Sequence, residues 1–312
     1  MRYTKEENNI IKKIKRSANL SRGMGFTVNI LLFVVFILFL FPVIWILIMS
    51  LKTQNQIAMM PPDIFSSFTL ENYKNLFQIG VEQGGTITEQ TAQTLTQIKT
   101  AGFLNGLMNT LIISVTSVLI ATLVGVPAAY GLSRYRSPGK ESTAFIFLSF
   151  RFVPELVILI PLYIIYQKVN LYGTYWGLIW VYILISLPMI IWITRSYIDD
   201  LPFDLEQAAM LDHYSKLRAF FKIILPLAKP GIAAAIILSF IFTWNNFIFG
   251  FILSTNRLQP ITVAIIRYLD ITDLNYGTMA AAIMISIIPM IIVSQIASRY
   301  LVSGLSLGAI KQ

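Results

Sequence analysis

The sequence predicts an all-α integral membrane protein with six transmembrane helices, and its composition and apolar segments both indicate this. Hydrophobic residues make up 56% of the 312 residues and charged residues only 12%, with a mean hydropathy of +0.69. Ordinary soluble domains carry about 25% charged residues. The chain contains no cysteine, which excludes disulfides and thiolate metal sites.

Six apolar segments of 20 to 25 residues have the length of membrane spans. At about 1.5 Å per residue, each covers a hydrocarbon core of roughly 30 Å. We place the spans at 27–49, 109–130, 144–166, 175–194, 231–253 and 278–302. The six-span region 27–302 is therefore flanked by an N-terminal segment, 1–26, and a tail, 303–312.

The basic residues predict the orientation of these spans. Of the 24 Lys and Arg residues, 17 lie in 1–26, 131–143, 195–230 and 299–312, and six lie in 52–104, 167–174 and 254–277. Because basic loops stay on the cytoplasmic side, both termini and the loop 195–230 are expected to be cytoplasmic. The long loop 52–104 is then an outer loop. Its Thr/Gln-rich part, "GGTITEQTAQTLTQIKTAG", fits either a small surface helix or a solvated spacer.

The loop 195–230 contains a polar insert that predicts two short helices. Asp204 is expected to cap the first helix, with Gln207 three residues on completing a capping box. On this helix Leu205, Ala208, Ala209 and Leu211 are expected to share one side. Two interpretations of the alanines remain: a small face for close docking against another protein, or simply residues of high helix propensity.

The second predicted helix runs from the cap Ser215 to Leu225, and Pro226 and Pro230 are expected to end it. This helix is expected to lie along the membrane surface, with its basic residues near the lipid headgroups. The apolar residues are Leu217, Phe220, Phe221 and Ile224, and the basic residues are Lys216, Arg218 and Lys222. The two helices together form a bent cytoplasmic elbow between spans four and five.

The residues Glu206, Gln207, Ala208, Ala209 and Asp212, followed by Ile224-Leu225-Pro226, resemble the "EAA" loop of ABC-importer permeases. The resemblance extends over about 250 residues to the carbohydrate-uptake, maltose-type second permease family. It is carried by "FPVIWILIMSLK", "MNTLIIS", "PAAYGLSRYRSPGK", "IPLYIIYQKVNLYGT", "TWNNFIFG" and "RYLVSGLSLGAIKQ". The chain is thus identified as resembling a binding-protein-dependent permease with the type I importer fold.

This resemblance implies a subunit in the plasma membrane of a prokaryote that forms half of a sugar pathway. Its implied partners are a homologous second permease, two ATPase subunits and an extracytoplasmic solute-binding protein. Glu206, Gln207, Ala208, Ala209, Asp212 and His213 are the implied ATPase-coupling residues. The chain carries no G-x-x-x-x-G-K-[ST] motif, so ATP and Mg²⁺ are expected on the partner ATPase, with no cofactor, catalytic residue or metal site in this chain.

The sequence departs from the family pattern after Asp212, where His213 and Tyr214 replace the usual Gly-Ala. Glycine adopts a left-handed turn without steric cost, whereas histidine does so less readily. Either the bend differs here, or the ATPase cleft accommodates a ring.

Polar residues inside the apolar segments are the candidate substrate-pathway residues. Arg151 and Glu155 are four apart in span three and are expected to pair on one helix face, bordering either the pathway or a structural interface. Asn245 and Asn246 could bind sugar hydroxyls or bond across helices, and Trp244 could stack on a sugar or join an aromatic belt.

Other classes of membrane protein are disfavoured. The sequence has no channel selectivity-filter motif, and its single histidine lies in a loop and not at the membrane depth that an intramembrane protease requires. A secondary transporter would not need the elbow. A polyol or glycerol phosphate remains the alternative to a mono- or oligosaccharide as solute.

Overall fold

The structure is a computed structural model that describes residues 5–61, 63, 65–77, 89–135, 138–270 and 273–308. Side chains are described within residues 28–61, 63, 65–77, 102–135, 138–266, 268 and 275–296.

Apart from one two-residue hairpin, the described regular elements are helical. The α-helices are α1 (Lys5–Ser50), α2 (Gln54–Ala58), α3 (Glu71–Phe77), α4 (Glu89–Arg134), α5 (Lys140–Ser149), α6 (Glu155–Lys168), α7 (Tyr175–Asp199), α8 (Asp204–Leu211), α9 (Lys216–Ala219), α10 (Leu225–Leu227), α11 (Lys229–Asn245), α12 (Ile248–Leu253), α13 (Ile261–Ala264) and α14 (Tyr276–Gly308). Turns of 3₁₀-helix occur at Phe150–Phe152 and Ile265–Tyr268, and a π-helical turn at Phe220–Ile224. The hairpin pairs β1 (Leu269–Asp270) with β2 (Asp273–Leu274).

Helix α7 lies at the centre of the bundle, and α1 lies at its edge. In the most apolar window of each helix, 67% of residues are buried for α7 and 0% for α1. Helices α4 and α11 pack against α7, α14 packs against α11, and α1 packs against α14. The apolar surface of α1 is therefore left open to lipid or to another subunit.

Four of the six predicted spans are continuous helices, which contain the apolar segments Val28–Ser50, Gly102–Arg134, Tyr175–Asp199 and Tyr276–Ile296. The third is instead divided into Lys140–Phe152 and Glu155–Lys168, which meet at 92°. Pro154 lies in this break, where it lacks an N–H donor and disfavours helical geometry at the preceding residue.

The fifth span is also interrupted. Helix α11 ends at Asn245 after 17 residues, and α12 resumes the span at Ile248. Asn246 lies in the gap with extended backbone dihedral angles. Spans three and five therefore each consist of two helical segments that meet at a break within the predicted span.

The Thr/Gln-rich stretch lies partly outside the described residues. From Glu89 onward the backbone is helical and continues without interruption into span two. Of the two predicted alternatives for this stretch, a helix and a solvated spacer, the described part is therefore a helix.

The end of the bundle formed by the loop 52–104, here called the loop end, is held together by Asn72. The Asn72 amide donates hydrogen bonds to the backbone oxygens of Ser50 and Lys52 at 2.9 and 2.8 Å. Its oxygen accepts a longer bond from Thr278 Oγ1 at 3.4 Å. One side chain of α3 thus connects the end of α1 to the start of α14.

Gly231 of α11 lies in close contact with Tyr197 of α7. A Cβ at this position would lie 2.1 Å from Cγ of Tyr197, whereas a Cβ at Gly131 in α4 would meet nothing within 4 Å. Because the ring atom nearest the backbone causes the clash, rotation of the Tyr197 side chain gives little relief.

We expect Gly231→Ala to lower the free energy of unfolding by about 1–3 kcal/mol through overpacking. The matched control Gly131→Ala should be neutral or stabilising by up to about 1 kcal/mol, because alanine is favoured inside helices. Thermal unfolding of the purified variants measures the difference, and equal effects at both glycines would contradict the close approach.

Candidate functional site

The elbow comprises residues 204–227 and begins with α8 directly at Asp204. Phe203 has helical dihedral angles and occupies the N-cap position, where its carbonyl accepts the Glu206 and Gln207 N–H groups at 3.0 and 3.3 Å. The predicted capping box of Asp204 and Gln207 was therefore wrong, because the helix starts one residue earlier. Asp204 and Glu206 instead place negative charge in the first turn, which complements the helix dipole.

The two faces of α8 differ from the predicted arrangement. Glu206 and Ala209 are buried, whereas Leu205 and Ala208 are exposed and Leu211 is 82% exposed. The expected single side for the two alanines and two leucines was wrong, because only Ala209 faces the protein. Gln207, Ala208, Asp212 and His213 are all exposed and remain available to a partner.

Glu206 is held by Arg134, which the sequence analysis did not single out. Glu206 is 1% exposed, and its Oε2 lies 3.6 Å from Nε of Arg134 at the last position of α4. The Tyr130 side chain, one turn earlier in α4, also interacts with the Glu206 carboxylate. The only signal in the sequence was a basic residue in the "GLSRYR" segment, which was counted as a topology signal.

His213 ends α8 in a left-handed conformation, with φ of 61°. The Tyr214 N–H donates to the Ala209 oxygen at 3.0 Å, and the His213 N–H donates to the Met210 oxygen at 3.1 Å. These two bonds form a Schellman motif, which usually has glycine at the left-handed position. Of the two alternatives for this bend, the first is excluded: the left-handed turn is retained, with histidine in the place of glycine.

The second half of the elbow combines α9, the π-helical turn and α10. The Ser215 cap is confirmed, because its hydroxyl accepts the Arg218 N–H at 3.3 Å. Pro226 does not end the helix as predicted. It lies within α10, and the 72° bend comes at Ala228, between Leu227 and Lys229.

The π-helical turn also changes which apolar residues are buried. Phe220 and Ile224 of this turn are buried, whereas Phe221 in the turn and Leu217 in α9 before it are exposed. The Phe220 ring packs on Tyr130 with a centroid separation of 4.7 Å. The predicted single apolar face of this helix was therefore wrong.

The break in span three separates Arg151 from Glu155. Arg151 lies in the 3₁₀ turn before the 92° bend, and Glu155 is the first residue of α6 after it. The two residues are therefore not on one helix, and the predicted pairing on one helix face was wrong. Arg151 lies over the Phe242 ring at 4.5 Å and contacts the Met189 sulfur at 2.8 Å. Its charge is thus stabilised by an aromatic face and a thioether of neighbouring helices.

Glu155 is bound by Asn246, so the breaks in spans three and five meet. The Asn246 amide donates to Glu155 Oε1 at 3.1 Å and more weakly to Oε2 at 3.4 Å. The Asn246 side-chain oxygen accepts the Phe249 N–H at 3.2 Å, which caps α12, and its backbone oxygen accepts from Thr262 Oγ1 at 3.1 Å. Glu155 and Asn246 are both partly exposed and present polar atoms inside the bundle.

Trp244 and Asn245 have different environments from this pair. Trp244 is 2% exposed, donates its indole N–H to the Ser286 oxygen at 3.2 Å and packs on Phe240. It fills the contact between α11 and α14, which corrects its prediction as a pathway residue. Asn245 is exposed and donates back to the Ile241 oxygen at 3.0 Å.

A second arginine, Arg195, connects three helices at the end of the bundle next to the elbow. It lies 2.5 Å from Glu141 of α5 and 3.3 Å from Asp199 one turn along α7. Ser133 of α4 donates to Asp199 at 2.5 Å. These residues were also missed, because charges near span ends were interpreted only as topology signals.

Residues 121–307 match the family model described as the inner membrane component of binding-protein-dependent transport systems. The chain is 31% identical to the trehalose transport system permease protein SugB of Mycobacterium tuberculosis, over 87% of this chain and 92% of that protein. It is 30% identical to the trehalose/maltose transport system permease protein MalG of Thermococcus litoralis, over 88% and 92% of the two chains.

Another relative is the diacetylchitobiose uptake system permease protein NgcG of Streptomyces coelicolor, with 26% identity over 96% of this chain and 93% of that protein. Among solved structures, a chain of a bacterial ABC transporter that imports the acidic polysaccharide alginate matches with a TM-score of 0.70. The match covers 96% of this chain and 99% of that chain at 21% identity, which supports the similarity of fold.

We expect His213→Gly to stabilise the end of α8 by about 1 kcal/mol, because glycine adopts the left-handed conformation without the Cβ penalty. His213→Ala should give no such gain, because alanine retains the Cβ. Hydrogen exchange at the amides of Ala209–Tyr214 measures local opening. Faster exchange in the glycine variant than in the parent protein would contradict the assigned turn.

Proposed function

Because this chain belongs to the family of inner membrane components of binding-protein-dependent transport systems, we propose that it forms half of the membrane pathway of a sugar importer. In this role it couples closure of a separate ATPase to alternating access. The single observation that carries the coupling role is the exposed apolar and small-residue surface of α8 on a rigidly capped elbow.

The docking surface consists of the exposed residues of α8 and its cap. Leu211 is large, apolar and 82% exposed, and Leu205 and Ala208 lie beside it. Covering such a surface is favourable by about 25 cal/mol per Å² of apolar area. We propose that Gln207, Ala208, Asp212 and His213 contact the ATPase, and that Glu206 and Ala209 hold α8 to the bundle from within.

The proposed assembly also includes a homologous second permease, two ATPase subunits that bind ATP and Mg²⁺, and an extracytoplasmic solute-binding protein. The open apolar surface of α1 fits lipid and the second permease. The distribution of Lys and Arg supports a cytoplasmic position for the elbow and both termini in a prokaryotic plasma membrane.

A sugar is the proposed solute, supported by relatives whose names specify trehalose, maltose and diacetylchitobiose. Glu155, Asn246 and the exposed Asn245 offer carboxylate and amide groups that can bind hydroxyls, and the charges of Arg151 and Glu155 attract each other across the break. We propose that these four residues border the pathway where the two interrupted spans meet. A polyol or glycerol phosphate is the less favoured alternative.

We expect Ala208→Trp to reduce uptake of labelled trehalose or maltose at least tenfold, because the indole prevents close approach of the ATPase. The matched control is Ala58→Trp, the same change at an exposed alanine of α2 at the loop end. Membrane insertion is checked by blotting. Undiminished uptake in the Ala208 variant, with a sugar that the parent importer transports, would exclude this docking site.

Docking itself can be tested by cross-linking, which needs no identified solute. The chain contains no cysteine, so a single introduced cysteine can be labelled specifically. Ala208→Cys, labelled with a photoreactive maleimide, is expected to cross-link to the ATPase subunit in the assembled importer. The same label on Ala58→Cys should give no such product. A label at position 208 that never captures the ATPase would argue against the coupling role.

The contact between the two breaks predicts a charge-dependent effect. Asn246→Asp sets two carboxylates against each other and should destabilise the protein by about 1–3 kcal/mol. Adding Glu155→Gln to that variant restores a donor and an acceptor with exchanged positions, and should recover most of the loss. Thermal unfolding tests this, and a double variant no more stable than Asn246→Asp would contradict the contact.

A further inference from the structure

The elbow is covalently continuous with α7 and α11, but its side-chain contacts include a distinct anchor on α4. Three side chains at the end of α4 form this anchor: Tyr130, Arg134 and Tyr135. They are here called the α4 seat. Tyr130 packs on Phe220 of the π-helical turn, and Lys216 Nζ lies 5.0 Å from the centre of the Tyr135 ring. Arg134 pairs with Glu206 of α8. Each half of the elbow is therefore held by span two, from which it is distant in sequence.

Arg134 contacts three residues at once along the chain that leads from α7 into α8. Its Nη2 donates to the Leu201 backbone oxygen at 2.8 Å, just beyond α7. Its Cζ lies 5.7 Å from the centre of the Phe203 ring, at the N-cap of α8, and its Nε faces Glu206. The planar guanidinium group permits these contacts in different directions, which a lysine ammonium on a flexible stem cannot reproduce.

Burial makes this connection stiff. The side chains of Arg134 and Glu206 are 9% and 2% exposed, so water screens their attraction little. Separating them leaves a carboxylate with no compensating charge in a buried place, which is strongly unfavourable. A displacement of α8 is therefore expected to move the end of α4 with it.

We propose that Arg134 is a positioning residue that transmits movement of α8 to span two, and that Glu206 acts through Arg134 and not as a contact with the ATPase. This inference rests on the proposed coupling function. It assigns the glutamate of the EAA segment an internal role, since its carboxylate faces the α4 seat and not the exposed side of α8. Span two packs on both α7 and α11, so its displacement reaches the interior of the bundle.

The test measures nucleotide-driven movement in the complete importer and needs no identified solute. The substitution Asn245→Cys supplies a reporter at an exposed position, and its modification by a maleimide-polyethylene glycol is followed as a gel shift of this otherwise cysteine-free chain. In the reporter parent, ATP with vanadate should change the modification rate at least tenfold. With Arg134→Met the change should fall below twofold while ATP hydrolysis continues.

The Arg134 and Glu206 variants together separate transmission from other roles. Glu206→Gln should reduce the nucleotide response by about threefold, and the double variant should respond no less than Arg134→Met alone, because both changes break one connection. Lys229→Met, which removes an exposed positive charge at the start of α11, is the control and should stay within twofold of the parent. A Glu206→Gln variant that keeps the full response of the parent would overturn the inference.

If Arg134→Met prevents assembly, Arg134→Lys keeps the charge without the planar fork and should reduce the response about threefold. A full nucleotide response in an assembled Arg134 variant overturns the inference.

The cross-link from labelled Ala208→Cys separates a loss of docking from a loss of transmission. A cross-link lost in the Arg134 variants shows that Arg134 serves docking, which overturns transmission. No response or cross-link in the reporter parent overturns the coupling function itself, and the inference with it.

Discussion

Polar groups that leave water require partners within the protein, and in this chain those partners come from segments far apart in sequence. Glu155 accepts hydrogen bonds from Asn246, the charge of Glu206 is paired with Arg134 at 3.6 Å, and the Trp244 indole donates to the Ser286 carbonyl. Each of these contacts joins two helices that apolar packing alone would leave free to slide. A few polar contacts between distant segments therefore help to fix the arrangement of the bundle, although most of its buried residues are apolar.

The same requirement explains where the two interrupted spans lie. Breaking a helix inside a membrane exposes backbone groups that lipid cannot satisfy, so a break is tolerated where other protein groups supply the bonds. Asn246 does this at the end of α11, where its side chain caps α12 and binds Glu155. The two breaks support each other, and they gather the polar atoms of the proposed pathway at one place.

At the other end of the bundle, the elbow combines an exposed surface with an internal anchor. The Schellman motif at His213 sets the direction in which the chain leaves α8, and the α4 seat holds α8 from the opposite side. An element built in this way can accept a partner on one face and move the bundle with the other. This division between Ala208 outward and Glu206 inward gives a physical basis for coupling through so short a helix.

The sequence by itself determined the all-α membrane class with six apolar spans, the location of the elbow, the Ser215 cap and the resemblance to importer permeases. These properties follow from segment length, composition and local spacing, all of which depend on residues that are close together in the sequence. Only the tertiary structure decided that Glu155 bonds to Asn246 and not to Arg151, that Trp244 is packed away, and that Glu206 and Ala209 face inward. The helix break at Pro154 and the π-helical turn at Phe220–Ile224 change the helical register locally, and a regular helical periodicity does not predict either. The partners of buried charges, such as Arg134 and Arg195, depend on which helix ends meet in space, and their place in the sequence carries no such information.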